Sequence, residues 1–592
     1  MRGAFRRASS AWLALILVAW PVLVSASNAS AQSDPGVREV LLVRINGATL
    51  EDVLATPGLL ALAQRGGAAL VVMTNPGDPL GDLSGDLLAS SSRGPLRSRF
   101  KVIVVATAVA GGDASPEGLR AAAVQLESAL AESTASQELV MLASDSSTLV
   151  GRASGGHIGV VVLAQGSPHD LASAMQAAPA TIPPKTLTSD STRRDGVVTS
   201  TDLAETALAF AQPAPGLPDP GGAQIRVVDA PLPIDLLERY VQSKRLTVPI
   251  GTAAALFVTF GGLVAVLALL WRRSPRGLRS LMAWIAIASP FLALSLLLVG
   301  HLPSLTYAGV IPFLIATAAL AAVALVPIAR RWGTLAAIAS AGTLLLVALV
   351  VEGVLGWNAA LTPLLGGSQL DGGRYFGVPN AFIGLLLGGS VYVAQRLSHP
   401  AGAVLIAATG LFAGSPWTGS NIGAAVTLFA AAGIWWGLDR DLSWWRTAAA
   451  TGLATLAGTG LVVAAHRYLT SSPTHITRFA EHTGGLSGVW SKVVDRLGVG
   501  THLIAANPFA LVPVVGVLGT LFVVLRPPAP VRITFDEAPV WRTALLTILI
   551  GSIVAYLVND SGAAAIGEGF TAALGGLLYV SLLRRNGIME TS

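Results

Sequence analysis

From residue 248 to residue 583 the sequence consists mainly of long apolar segments, and this feature restricts the fold more than any other. Segments of roughly 20 apolar residues are long enough to cross about 30 Å of hydrocarbon as helices. Charged residues make up 12% of the whole chain, against about 25% in ordinary soluble proteins. We therefore predict an all-α polytopic membrane domain of about 11 transmembrane helices over 248–583. The predicted spans are 248–271, 281–300, 304–327, 333–356, 377–395, 401–413, 421–438, 447–465, 503–525, 543–558 and 563–583.

The arginines between these spans predict the orientation of the membrane domain. If the residues before 248 are extracytoplasmic, the cytoplasmic loops and tail hold about 14 basic residues and the outer loops hold about five. Cytoplasmic loops of membrane proteins carry an excess of lysine and arginine. The distribution therefore predicts a multi-pass protein of the cell membrane with its N-terminal part outside and its C-terminus in the cytoplasm. The loop arginines also carry most of the net charge of +5, so this charge does not indicate a nucleic-acid partner.

The first 31 residues follow the pattern of a secretory signal peptide. Arg2, Arg6 and Arg7 precede an apolar stretch over 11–24, and the Ala-Ser-Ala at 29–31 fits a cleavage site of small residues. We predict a signal peptide over 1–31. The alternative is an uncleaved signal anchor, since the apolar stretch is only slightly shorter than a membrane span. Cysteine is absent, which excludes a disulfide scaffold, thiol catalysis and Cys-ligated metal sites.

Residues 36–245 have the composition of a soluble domain, in which short apolar, β-branched segments alternate with helical ones. This alternation favours an extracytoplasmic α/β domain with a doubly wound, mainly parallel sheet covered by helices on both faces. The segment 213–233 is rich in proline and glycine, which is typical of a linker or covering loop. The predicted strands cover 39–45, 68–73, 101–106, 138–143 and 157–163, and the predicted helices cover 58–64, 116–132, 171–176 and 202–211.

Three segments of this domain resemble the alkaline phosphatase/sulfatase superfamily. VLLVRINGATLEDV (40–53) and TPGLLALAQRGGAALVVMT (56–74) resemble the strand, helix and second strand that lead to the nucleophile. LTSDSTRRDGVVTSTDLAETALAF (187–210) resembles the strand and helix that close that fold. The resemblance implies an alkaline phosphatase-like fold with a metal-dependent phosphatase site. It makes Thr74, Asp145 and His157 the candidate catalytic residues.

The metal-binding residues of the superfamily are not found in this sequence. The first strand ends in Asn46, a neutral amide, where the superfamily has a carboxylate that holds a divalent cation. Ser146 follows Asp145 where a histidine ligand is expected. Because a two-metal site needs several Asp and His ligands, we expect a retained fold without catalysis, without a metal and without a cofactor. If the domain is active, the expected ion is Zn²⁺ or Mn²⁺.

Polar residues of the membrane half gather at the predicted outer ends of the spans. Carboxylates at membrane depth cost on the order of 2–3 kcal/mol each, and guanidinium groups bind phosphate oxygens in a bidentate way. We therefore predict a substrate-binding set at this surface, and the alternatives are ion pairs that lock the helix ends and hold the N-terminal domain, or a water-filled transport route. The longest outer loop, 466–502, is predicted to include an amphipathic helix on the membrane. The predicted set is Glu352, Arg374, Asn380, Asn421, His475, Arg478, Asp560 and Glu568.

Two short motifs connect the membrane half with a group of proteins. RYFG-x-x-N at 374–380 and NDSG at 559–562 are similar to motifs of uncharacterised bacterial polytopic membrane proteins with an N-terminal alkaline phosphatase-like ectodomain. This resemblance extends over nearly the whole chain and implies no particular activity.

Three functions remain open at this point. The first is a non-catalytic cell-envelope protein that binds or moves a lipid-linked or phosphorylated envelope precursor at the outer face. Its partners would be the lipid bilayer, a lipid-linked glycan or phospholipid, and other envelope proteins. The second is an active metal-dependent phosphotransferase or hydrolase of envelope lipids or glycans, and the third is an outer-face glycan ligase or polymerase. Asn46 and the missing ligand set favour the first.

Overall fold

The computed structural model describes residues 38–46, 50–72, 100–105, 116–133, 137–146, 158–176, 183–211, 222–271, 273–356, 364, 376–470, 476, 494, 497–498, 511–559 and 562–585. The chain is mostly helical in these ranges, with a sheet in its N-terminal part. Strands and helices are numbered in chain order over these residues.

The N-terminal part is an α/β domain whose elements correspond closely to the predicted strands and helices. The main difference is in 225–231, which was predicted to belong to a linker and forms a strand. The strands are β1 (Arg38–Asn46), β2 (Gly67–Val72), β3 (Phe100–Val105), β4 (Gln137–Ser146), β5 (Ile158–Gly166), β6 (Lys185–Ser189), β7 (Val197–Thr199) and β8 (Ile225–Pro231). The helices are α1 (Leu50–Ala55), α2 (Pro57–Arg65), α3 (Pro116–Ala131), α4 (Pro168–Gln176) and α5 (Ser200–Ala211).

These strands form one sheet in the order β3-β1-β4-β5-β2-β6-β8, with β7 also paired to β2. β1 is parallel to β3 and β4, and β2 is parallel to β6 and β7. β5 runs antiparallel to both of its neighbours, and β8 runs antiparallel to β6. Six of the eight strands therefore run in one direction and the sheet is mainly parallel, as predicted, but the reversed strands β5 and β8 make it a mixed sheet. A parallel connection needs a crossover of a dozen or more residues, usually with a helix, whereas only 147–157 join β4 to β5.

Helices cover both faces of the sheet, and alternate side chains of the strands contact the two layers. Leu41 and Val43 of β1 belong to a cluster with residues of α2, α3 and α4, such as Leu126. Val40 and Leu42 belong to a second cluster with residues of α5, such as Leu203. This alternation follows from the two-residue period of a strand, and it gives the three-layer arrangement expected for a doubly wound domain.

The second part of the chain is a helix bundle. It begins with a long helix, α6, that runs without interruption from the end of the α/β domain into the apolar region. Short 3₁₀ turns at Val299–His301 and Asn380–Phe382 lie beside α7 and α10. The helices are α6 (Ile234–Leu270), α7 (Arg276–Leu298), α8 (Tyr307–Trp332), α9 (Thr334–Val354), α10 (Ile383–Ala394), α11 (His399–Gly414), α12 (Ile422–Asp439), α13 (Trp444–Tyr468), α14 (Leu511–Leu525), α15 (Ala529–Glu537), α16 (Val540–Val558) and α17 (Gly562–Arg585).

The lengths and composition of these helices identify the chain as a membrane protein. Within the described residues, seven helices are long and apolar enough to cross a bilayer. The count rises to eight if the bent pair of helices Gly516–Leu525 and Ala529–Glu537 is one span. Two shorter apolar helices, Asn380–Ala394 and Pro400–Gly414, are not included in this count. The prediction of about 11 spans therefore remains a prediction.

Small residues let neighbouring helices of the bundle approach closely. A Cβ at Gly342 of α9 would lie 2.5 Å from the carbonyl oxygen of Gly389 in α10. A Cβ at Gly433 of α12 would lie 2.5 Å from the Cα of Thr451 in α13. Close helix contacts of this kind are typical of membrane bundles, in which lipid supplies no hydrophobic drive for association.

Candidate functional site

Of the three predicted catalytic residues, the structure describes Asp145, at the carboxyl end of β4. Because β1 and β4 are parallel and in register, Asn46 is the Cα partner of Asp145 at the carboxyl ends of both strands. Ligands of α/β sheets bind at such edges. Thr74 and His157 lie outside the described residues. In the part of the chain that the structure describes, no group of three or more His, Cys, Asp or Glu side chains is arranged to hold a metal.

A turn between β6 and β7, residues 190–196, connects the α/β domain with the helix bundle, and Asp202 organises it. Asp202 is fully buried in the first turn of α5. Its Oδ2 accepts hydrogen bonds from the Ser189 and Ser191 hydroxyls at 2.8 and 2.6 Å and from the Thr199 N–H at 2.8 Å. Its Oδ1 accepts one from the Ala223 N–H at 2.8 Å. These bonds fix both ends of the turn.

Two arginines at the tip of this turn reach into the bundle. The Arg193 guanidinium donates to the carbonyl oxygen of Pro416 at 2.7 Å, and Arg194 donates to that of Gly356 at 2.7 Å. Both guanidinium groups also lie over the ring of Phe376, at 4.7 and 5.9 Å from its centroid. Cation–π contacts strengthen when they are removed from water. We call this end of the bundle, which contains Gly356, Phe376 and Pro416, the domain-facing end.

Burial changes the protonation equilibria in this contact. It lowers the pKa of Arg194 from its ordinary value, while the neighbouring Tyr240, Glu352 and Asp195 oppose the shift. Burial likewise lowers the pKa of Arg193, against the charge of Asp190. Arginine remains protonated despite such shifts. Burial raises the pKa of Tyr240, so its phenol is neutral beside the guanidinium groups of Arg194 and Arg239.

Glu352 is paired at the domain-facing end. It lies in the last turn of α9 and is 2% exposed. Its Oε2 lies 2.8 Å from Nε2 of His301, in the 3₁₀ turn after α7. Arg239 of α6 donates to the carbonyl oxygens of Gly300 and Leu302 on either side of that histidine, at 2.5 and 2.7 Å. The predicted carboxylate thus holds the ends of α7 and α9 together, which is one of the alternatives left open by the sequence.

The two predicted asparagines of the described residues contact each other. The amide nitrogen of buried Asn421 donates to Oδ1 of Asn380 at 2.9 Å and to the Val378 carbonyl at 2.8 Å. Oδ1 of Asn421 accepts the Ala424 N–H at 3.0 Å and so caps α12. The Val378 N–H in turn donates to the Gly419 carbonyl at 2.8 Å. Asn421 and Asn380 therefore fasten the loop before α10 to the loop before α12.

The first residue of the NDSG motif lies at the start of α12. This residue, Asn559, is buried at the end of α16. Its side-chain oxygen occupies the space that a Cβ at Gly423 of α12 would need. Asn380 and Asn559, one residue from each motif, therefore both lie at the start of α12, next to Asn421.

The remaining predicted site residues lie largely outside the described part of the chain. Arg374, His475, Arg478 and Asp560 fall there entirely. Glu568 belongs to α17, but its side chain is not among those described. The predicted surface helix also falls mostly outside, since only isolated residues of 471–510 are described. A common binding cavity for the predicted set therefore stays a prediction.

Sequence reasoning missed the contacts that join the two parts of the chain. Arg193 and Arg194 stand in a polar stretch, SDSTRRDG (189–196), whose density of hydroxyl and charged residues was the available signal. Their acceptors lie 223 and 162 residues further along the chain, and spacing carries no information at such separations. The contacts of Phe376 and Asn421 therefore hold helix ends in position.

Comparison with family models, with curated proteins and with solved structures finds no match to this chain.

Proposed function

We propose that this protein is a cell-envelope membrane protein that binds a lipid-linked or phosphorylated envelope precursor at the domain-facing end of its bundle. In this proposal the α/β domain is extracytoplasmic, alkaline phosphatase-like and non-catalytic. It serves as a fixed cover and docking module, held over the binding region. The bundle contains about 11 spans, a number that rests on the apolar segments of the sequence.

The observation that carries the proposal is the contact of Arg193 and Arg194 with Phe376. It holds the α/β domain against Phe376, and Arg374 precedes Phe376 by two residues in the sequence. A phosphate group bound there would meet a guanidinium that can bind it in a bidentate way. The neighbouring helix ends are already fastened by Asn380 and Asn421, so the region is preorganised for a ligand.

The non-catalytic role of the α/β domain is supported by the end of β1. Its last residue is Asn46, in register with Asp145. A neutral amide is a weaker ligand than a carboxylate for a divalent cation. At the end of β1 the sheet therefore has an amide in place of the carboxylate that holds a metal in the phosphatase superfamily.

A binding experiment on the purified full-length protein tests the proposal. We expect a polyprenyl phosphate to bind in detergent, and Arg374→Ala and Arg478→Ala each to weaken binding about tenfold, the equivalent of one charge-assisted hydrogen bond. Arg467→Ala is the matched control, because Arg467 is an exposed arginine at the end of α13. Unchanged affinity in both test variants would contradict the proposal.

The same preparation distinguishes the enzymatic alternatives. Hydrolysis of a phosphate ester that depends on added Zn²⁺ or Mn²⁺, and that is lost in Asp145→Ala, would replace the binding proposal by a metal-dependent phosphotransferase. Loss of envelope glycan in cells carrying Arg374→Ala, with lipid binding intact, would instead indicate a glycan ligase or polymerase.

A further inference from the structure

A large cavity lies at the end of the bundle opposite the α/β domain. It has a volume of about 1500 Å³ and is lined by the ends of α6, α8 and α17, the first turn of α9 and one side of α15. The 21 residues of α9 separate it from Gly356 at the domain-facing end, a distance of about 30 Å along a helix. The cavity is therefore distinct from the proposed precursor site.

Positive charge dominates the lining. The cavity is lined by Arg330, Arg331, Arg396, Arg584 and Arg585, against one carboxylate, Glu537. Glu537 is already paired with Arg584 at 2.6 Å, and Arg585 donates to a backbone carbonyl of α6.

Arg330, Arg331 and Arg396 have no carboxylate of the described residues within ion-pair distance. An excess of arginine is general on the cytoplasmic side of membrane proteins. Charge alone therefore does not define a site.

The start of α9 adds donors to this cavity. Gly333, with a φ of +83°, and Thr334 belong to the lining, and the helix begins there without a side-chain cap. The first N–H groups of a helix have no intrahelical partner and carry partial positive charge. Anions bind readily at such a terminus.

Tyr579 supplies an independent observation. Its side chain is fully buried at the wall of the cavity, and its hydroxyl has no hydrogen-bond partner among the described residues. The ring is fixed edge-on against Trp284, with centroids 5.3 Å apart. A buried hydroxyl left without a partner costs about 1–3 kcal/mol, so an acceptor atom in the cavity would remove that cost.

We propose that this cavity binds the phosphate group of an anionic phospholipid. Arg331, Arg396 and the first N–H groups of α9 bind the phosphate, and the Tyr579 hydroxyl donates to a headgroup oxygen. The ligand is a lipid rather than a soluble anion because α8 leads from the cavity to an exposed apolar face. Leu320 and Val323 on that face are 69% and 65% exposed, so acyl chains can lie along it. Basic pockets between membrane helices bind anionic headgroups in this way.

Titration of the detergent-solubilised full-length protein with fluorescent lipids tests this site. We expect phosphatidylglycerol to bind at least about tenfold more tightly than phosphatidylcholine with the same chains, because its net charge is negative. The double variant Arg331→Gln and Arg396→Gln should lower the affinity for phosphatidylglycerol to that for phosphatidylcholine. Tyr579→Phe, which keeps the ring and removes only the oxygen, should weaken binding several-fold.

Arg446→Gln is the matched control. Arg446 is an exposed arginine near the start of α13 and stacks on Trp445 at 5.0 Å, outside the cavity. Equal binding of the two lipids, or full affinity in the double arginine variant, would overturn the proposal. Displacement of the lipid by inorganic phosphate at comparable concentration would overturn the lipid as the source of the phosphate. A shifted unfolding midpoint would identify a misfolded arginine variant. In that case the affinity of Tyr579→Phe for phosphatidylglycerol is the deciding measurement, and full affinity would overturn the proposal. Neither result changes the test at the domain-facing end.

Discussion

At the scale of single residues, one buried carboxylate determines how the α/β domain meets the bundle. Asp202 accepts four hydrogen bonds from three places in the chain: Ser189 and Ser191, Thr199, and Ala223. It thereby fixes the start of α5, both sides of the arginine turn and the entry to β8. A residue with so many local partners is a sensitive point for a mutation.

Asp202→Asn tests this role. The substitution keeps the shape of the side chain but replaces one acceptor oxygen by a donor that faces donors. We expect a loss of about 2 kcal/mol in the free energy of unfolding, as for hydrogen bonds to a charged group. A lowered thermal-unfolding midpoint of the full-length protein in detergent is the measurement.

Asp229→Asn is the control for this prediction. Asp229 pairs with Lys185 at 3.1 Å, and its side chain is 92% exposed. Exposed ion pairs contribute little to stability, so the midpoint should not move. Equal midpoints for both variants would show that Asp202 is not a stabilising centre.

The predicted binding residues show how far single positions could be interpreted from sequence. Asn421 was singled out as polar and near a membrane surface, and the structure gives it a position beside Asn380. However, its amide is used to cap α12 and to hold a neighbouring loop. Residue type and depth indicate that a polar group has a partner, but they do not distinguish a helix cap from a ligand contact.

At the scale of elements, the packing of the bundle depends on glycines at helix crossings. Gly433 of α12 faces the backbone of α13 at Thr451. The interface between α12 and α13 has no room for a methyl group at position 433. A glycine with open space around it should behave differently, and the chain offers one on the next helix.

Gly433→Ala should destabilise the bundle by about 1–3 kcal/mol, because the new Cβ must push α13 away from α12. Gly452→Ala is the matched control, since a Cβ at Gly452 of α13 would have nothing within 4 Å. Alanine favours a helix by about 1 kcal/mol over glycine, so this variant should not be less stable. The two unfolding midpoints in the same detergent provide the comparison, and a stable Gly433→Ala protein would contradict the tight crossing.

Secondary structure could be predicted well from periodicity, whereas the arrangement of elements could not. The strand over 39–45 and the helix over 116–132 were predicted within one residue of β1 and α3 at each end. The reversal of β5 was missed, because it depends on which strands become neighbours rather than on the strand's own residues. The same limit applies to Phe376, whose two arginine partners come from a distant turn.

At the scale of the whole molecule, the two ends of the bundle differ in chemistry. The domain-facing end holds the α/β domain, the Glu352–His301 pair with its buried carboxylate, and the asparagine contacts. The opposite end holds the arginine-lined cavity. The excess of arginine at that end agrees in sense with the predicted cytoplasmic orientation.

Labelling of single cysteines tests that orientation directly, because the chain contains no cysteine of its own. Tyr307→Cys lies at the start of α8 near the domain-facing end, and Ser398→Cys lies between α10 and α11 at the opposite end; both positions are exposed. A membrane-impermeant maleimide should label Tyr307→Cys on intact cells and Ser398→Cys only after permeabilisation. The reverse labelling pattern would show the opposite orientation in the membrane and would contradict the proposed function at the outer face.

The position of β2 in the sheet has a consequence for biosynthesis. β2 is complete at residue 72, yet its neighbours β5, β6 and β7 follow only at 158–166, 185–189 and 197–199. During synthesis, β2 therefore has none of these partner strands until β5 has been made. The hydrogen bond from Arg193 to the Pro416 carbonyl forms later still, because Pro416 follows 223 residues further along the chain. The contact between the two halves is thus completed only after α11 has been made, although the acceptor of Arg194, Gly356, is synthesised earlier.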